Sequence, residues 1–135
     1  MSKMEAVYLP PSEYQAYIRA IEERFGPYKY KPRVVITPDL YKKYGALGQT
    51  TFTKTANGTP VLIEIDADIW YNKPRLGRET LVHELLEWKF IEQGEEYPHH
   101  MSERYTPEIF GVASRTWLDV FLEKHPFIRR VIRGY

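Results

Sequence analysis

The segment His83-Glu84-Leu85-Leu86-Glu87 puts an imidazole and a carboxylate one helical turn apart on the same face, where both side chains reach one ion. The related pattern H-E-x-x-H uses this geometry for two zinc ligands, with the glutamate after the first histidine acting as general base on water. Here glutamate stands at the second ligand position, giving H-E-x-x-E. With one further imidazole the set becomes two histidines and one carboxylate, which catalytic zinc accepts while keeping a fourth position open. His99 and His100 follow just beyond Gly94, where the chain can reverse and return a ring to the helix. A helical turn starting at Pro98 would set His100 among inward-facing positions, so His100 is the expected third ligand and His99 the alternative. His125, before Pro126, has no spacing that ties it to these residues.

The competing arrangement is a hydrogen-bonded i,i+4 pair of His83 and Glu87 on a half-exposed face. The surrounding residues weigh against it, since a carboxylate on the buried face of a greasy helix is costly unless paired or metal-bound. Composition narrows the chemistry further. The 135 residues contain no cysteine and four histidines, which excludes thiol catalysis, Cys-type zinc fingers and iron–sulfur ligation and leaves His, Asp and Glu as metal ligands. A chain of this length buries enough apolar surface to fold without a metal staple, so a metal here would serve chemistry. With 19 Lys+Arg against 18 Asp+Glu there is no global cationic field of the kind that marks general nucleic-acid binders. No run approaches the 18 or more apolar residues of a membrane span and residues 1–10 lack a secretory signal, so a cytoplasmic location is expected.

The elements that must position these residues form one domain, 1–135, without repeats or linkers. Tyr14, Tyr17, Ile18, Ile21 and Phe25 fall at helical spacing over Glu13 to Phe25, with Ser12 and Gln15 as a capping box and Gly26-Pro27 as the stop. Arg33 to Thr37 reads as a strand, and Asp39 to Tyr44 as one or two helical turns. Thr50 to Ala56 and Thr59 to Asp66 are β-branched runs joined by Asn57-Gly58, the pair favoured in type I′ hairpin turns. Asp66 to Pro74 reads as a loop. Arg75 to Gln93 is a long helix whose apolar residues Leu81, Val82, Leu85, Leu86, Trp88, Phe90 and Ile91 cover more than one face, which makes it central and largely buried. A turn over His99 to Arg104 precedes a last helix beginning at Thr106-Pro107, with Ile109, Val112, Ala113, Trp117, Val120 and Phe121 as its apolar stripe.

From Arg33 to Lys124 this order of elements, with His83-Glu84-Leu85-Leu86-Glu87 on the central helix and histidines on the following turn, resembles the minimal zincin metallopeptidases. That family includes small archaeal and viral forms whose second helix histidine is replaced by glutamate. The resemblance implies an α+β, zincin-like fold with an N-terminal helix, a small mostly antiparallel sheet carrying the Asn-Gly hairpin, a central metal-site helix and a C-terminal helix. It implies zinc on His83, Glu87 and His100, Glu84 as catalytic base, and an extended peptide or protein substrate added to an edge strand of the Thr50 to Asp66 hairpin. A glutamate ligand donates more negative charge than imidazole and weakens the Lewis acid, so iron or manganese are alternatives to zinc. The expected function is a zinc-dependent hydrolase, a metallopeptidase, in which Tyr97 or Tyr105 would serve the developing oxyanion. The alternative is a non-enzymatic zincin-like binding module of viral or plasmid type, for protein or nucleic acid.

Other residues carry weaker chemistry. His100 and Glu103 are i,i+3 and with His83 and Glu87 would build a two-metal site, but the usual four-helix donor pattern is missing. Two histidines and a carboxylate also describe the facial triad of non-haem iron oxygenases, which would leave Glu84 without a role. Asp66-Ala67-Asp68, at a strand end, reads as a cap or turn and not as a hard-cation pair. Two basic-aromatic clusters, Tyr28 to Arg33 and the amphipathic tail 124–135 with Arg129, Arg130 and Arg133, are the residues through which nucleic acid would bind.

Overall fold

The computed structural model describes residues 5–124, with side chains through residue 114. The expected stripe positions Trp117, Val120 and Phe121 lie beyond the described side chains, and His125 with residues 126–135 of the basic tail lies outside the described residues. Four strands and five helices make an α+β fold in the order β1 (Val7–Tyr8), α1 (Gln15–Phe25), β2 (Arg33–Thr37), α2 (Leu40–Tyr44), β3 (Gly48–Phe52), β4 (Val61–Asp66), α3 (Ala67–Asn72), α4 (Pro74–Glu92) and α5 (Pro98–Lys124). A single 3-10 turn, Pro11–Glu13, precedes α1. Among the described residues no helix is long and apolar enough to cross a membrane.

The sheet is mixed, in the order β1-β2-β4-β3. β1 and β3 run antiparallel to their neighbours, whereas β2 and β4 run parallel, because α2 and the edge strand β3 carry the chain round between them. In β4 Val61, Ile63 and Ile65 are buried on the inner face and Leu62 and Glu64 lie on the outer one, the period-2 pattern of a half-buried strand. The strands β3 and β4 pair from Gly48↔Ile65 to Phe52↔Val61. Their connection does not use Asn57-Gly58 as the two central turn residues. Thr55 and Gly58 bridge, so Ala56-Asn57 sits at the centre, and among the described residues Asp39 is the sole non-glycine with positive φ. Gly58, at φ 142°, and the Thr55 hydroxyl, which donates to the Gly58 carbonyl at 2.6 Å, close the turn instead.

α4 lies across the inner sheet face with α1 and α5 beside it. Ile21, Ile36, Ile63, Ile65, Leu81, Leu85, Leu86, Phe90 and Ile109 are fully buried between these layers. The loop expected over Asp66 to Pro74 contains α3. Asp66 caps it by accepting from the Ile69 N–H at 3.2 Å, and its other oxygen accepts from the Tyr41 N–H at 3.0 Å. The last helix starts at Pro98 and not at Thr106-Pro107. Both prolines suit a first turn, and the helix takes the earlier one, closing its start with Met101 N–H on the Tyr97 carbonyl and carrying Pro107 inside. That earlier start determines which histidine meets α4.

Candidate metal centre

From Leu81 to Phe90 α4 is buried at every position except the half-buried His83 and Glu87, which lie between buried Val82, Glu84, Leu86 and Trp88. α5 packs against that side. Ser102 is fully buried there and donates its hydroxyl to the His83 carbonyl at 2.5 Å, which fixes the rotation of α5. With Ser102 facing α4, the position three residues earlier faces it as well, and His99 meets His83 and Glu87. His100 points elsewhere: it is exposed, with its ring near Tyr97 at 6.2 Å and outside the cluster. The fold thus brings His99, the alternative, and not the expected His100, to His83 and Glu87. In the same register Glu103 Oε1 lies 3.0 Å from His99 Nε2, and His100, its expected companion in the two-metal arrangement, stands outside the cluster.

The three candidate ligand atoms form a nearly equilateral triangle. His83 Nε2 to His99 Nδ1 is 3.2 Å, His83 Nε2 to Glu87 Oε2 is 3.4 Å, and His99 Nδ1 to Glu87 Oε2 is 3.6 Å. Tetrahedral zinc with bonds of about 2.0–2.2 Å holds neighbouring ligand atoms about 3.3–3.6 Å apart, so this donor set has the dimensions of one face of a zinc tetrahedron. The residues fit the ion. Among the described residues no other group of three histidine, aspartate or glutamate side chains converges in this way.

A further carboxylate orients His99. Glu103 Oε1 lies 3.0 Å from His99 Nε2, so the proton sits on Nε2 and leaves the Nδ1 lone pair aimed at the triangle. The i,i+4 spacing of His99 and Glu103 was the sequence signal for this pair. The hydrogen bond to Glu87 raises the His83 pKa, and the same bond holds the Glu87 carboxyl below its usual range.

Glu84 is 7% exposed and lies on the sheet side of this cluster. Burial raises its pKa, opposed by the hydroxyl of Thr50, which donates to Glu84 Oε2 at 2.7 Å. Thr50 pairs with Ile63 and so points to the inner face, toward α4. Two residues earlier on the same face, a Cβ at Gly48 would stand 2.8 Å from Thr80 Cγ2 and 3.1 Å from Glu84 Cγ, so only glycine lets the edge strand lie this close to the helix. Neither Thr50 nor Gly48 was recognisable as a site residue from sequence spacing, because the contact depends on strand register.

A cleft of about 430 Å³ opens between the start of β3 and α5, with Gly48, Thr80, His83, Glu84, His99 and Glu103 on its walls. Neither expected oxyanion donor lines it. Tyr105 packs edge-on against Phe25 at 5.1 Å, and Tyr97 is exposed beside His100. Larger hollows of about 740 Å³ beside Tyr17 and Phe110 and about 630 Å³ beside Asp66 and Tyr71 lack converging ligands, and both Asp66 oxygens are already bonded to backbone N–H groups. Set against known proteins, the chain matches no family model, and neither a curated protein nor a solved structure matches it.

Proposed function

We propose that the protein is a zinc-dependent hydrolase acting on peptide bonds, with His83, Glu87 and His99 holding the ion and Glu84 as general base. The observation that carries this reading is the ligand triangle with edges of 3.2, 3.4 and 3.6 Å, beside which Glu84 shares an open cleft. Bound zinc would polarise the scissile carbonyl and acidify water. The work of the chain itself is to hold and move protons. Glu84, whose pKa burial raises above the ordinary carboxylate value, takes the proton from the attacking water and delivers it to the leaving amine. Thr50 fixes one Glu84 oxygen and leaves the other for that transfer. Glu103 keeps His99 in the tautomer that presents Nδ1.

The substrate backbone has a docking edge in this reading. β3 is at the margin of the sheet, so an extended peptide can add to it beside the cleft and lay its carbonyl near Glu84. Iron or manganese would fit the same two-histidine, one-carboxylate set. Digestion of a mixed peptide library, read by mass spectrometry, tests the reading: cleavage by the zinc-loaded chain and none by Glu84→Gln is expected. Equal cleavage by both would remove Glu84 as the base.

A further inference from the structure

Charge is segregated on this nearly neutral chain. The cleft beside the metal cluster is lined by Glu79, Glu84 and Glu103 and by no lysine or arginine. Two adjoining hollows where β1, β2 and the tip of the β3–β4 hairpin meet show the reverse. One, of about 240 Å³, is lined by Tyr8, Arg33 and Phe52; the other, of about 510 Å³, by Lys29, Tyr30 and Lys31. They share Pro60, and no carboxylate lines either one. Lys54 lies between Thr53 and Thr55, each of which lines one hollow. Among the described residues none of these four cations is ion-paired. Glu92, which accepts from the Tyr30 N–H at 2.7 Å, is buried and faces Lys89 at 3.5 Å.

Aromatic rings are interleaved with the cations. Tyr8 is 53% exposed, and the Arg33 guanidinium sits 4.3 Å from its ring centre. Phe52, paired with Val61, points to the inner face against Trp88 at 5.0 Å and lends this surface only its backbone. Lys29 Nζ lies 5.5 Å from the Tyr30 ring centre. The cluster differs from the one visible in sequence, since Tyr28 is buried with its hydroxyl on the Leu85 carbonyl, whereas Tyr8 joins from β1.

We propose that this basic-aromatic surface, formed by Tyr8, Lys29, Tyr30, Lys31, Arg33 and Lys54, binds single-stranded nucleic acid, independently of the metal centre. Unpaired cations meet the phosphate backbone, and exposed rings offer faces for unpaired bases, a combination that tolerates any sequence. A duplex hides its base faces, and a lipid surface has none to stack. The charge asymmetry also keeps a polyanion out of the carboxylate-lined cleft.

Fluorescence anisotropy of the full chain with a labelled oligothymidylate of about 15 nucleotides tests the proposal. Binding at about 50 mM salt is expected, with log K falling against log salt at a slope of about −2 to −3, from four cations at about 0.7 each. Tyr8→Ala, on a two-residue exposed strand where the fold is safe, should weaken binding by about tenfold, and Lys31→Ala should lower the slope by about 0.7. His83→Ala should bind the oligonucleotide like the parent chain. No anisotropy change, equal competition by duplex with Tyr8→Ala without effect, or preference for phosphatidylserine vesicles over the oligonucleotide would each overturn the proposal.

Discussion

Thr50 on the edge strand donates its hydroxyl to Glu84 Oε2 at 2.7 Å, and through this bond the sheet touches the most deeply buried carboxylate of the cleft. The bond has two consequences. It offsets part of the desolvation that raises the Glu84 pKa, and it ties the edge strand β3, the proposed docking edge, to the group proposed to act on water. Gly48, on the same face of β3, permits the approach.

Thr50→Val keeps the shape of the side chain and removes the donor. Stability in urea should fall by about 1 kcal/mol, because a buried carboxylate loses its hydroxyl partner. Thr50→Ser should restore most of it. An unchanged denaturation midpoint in Thr50→Val would mean that the bond contributes nothing to the fold.

The choice of third ligand separates two neighbouring residues. His99→Ala should abolish tight zinc uptake, whereas His100→Ala, at an exposed position outside the triangle, should leave it intact. Glu103→Gln removes the charge that orients His99 and should weaken zinc binding by about 10–100-fold. Competition with a chromogenic chelator measures all three.

Most of the elements on either side of the site are legible in the chain, and the failures have identifiable causes. The greasy pattern of Leu81 to Ile91 announces a central helix, and His83 and Glu87 stand out because they interrupt it. Spacing favours His100 where the fold brings His99 to the cluster, because the sequence holds two proline start signals, Pro98 and Pro107, and the rotation of α5 is set by a tertiary bond, Ser102 to the His83 carbonyl. The short helix α3 was hidden because Asp66 ends β4 and caps α3 at once. Asn57-Gly58 carries a strong turn signal, but the register of β3 on β4 moves the turn back by one residue.

Tyr28 provides a pH test of the scaffold away from the metal centre. Its hydroxyl donates to the Leu85 carbonyl at 2.7 Å, and burial, aided by Glu92 and Glu22, raises its pKa well above the ordinary 10.0. The folded chain therefore holds this proton more tightly than the unfolded one. Its contribution is complete below pH 10 and is lost as pH rises from there toward the folded pKa, by up to about 1.4 kcal/mol per pH unit. Tyr28→Phe should cost about 1 kcal/mol at neutral pH and flatten this alkaline decline. Chemical denaturation at a series of pH values checks both, and an identical alkaline slope in the variant would exclude Tyr28 as its source.

Direct titration of the chelator-treated chain with zinc tests the central claim. Uptake of one ion per chain is predicted, with the same affinity in Glu84→Gln and a loss of at least about 100-fold in His83→Ala and in His99→Ala, each of which removes a corner of the triangle. Absence of tight uptake, or uptake that survives His83→Ala unchanged, would contradict a metal centre at His83, Glu87 and His99.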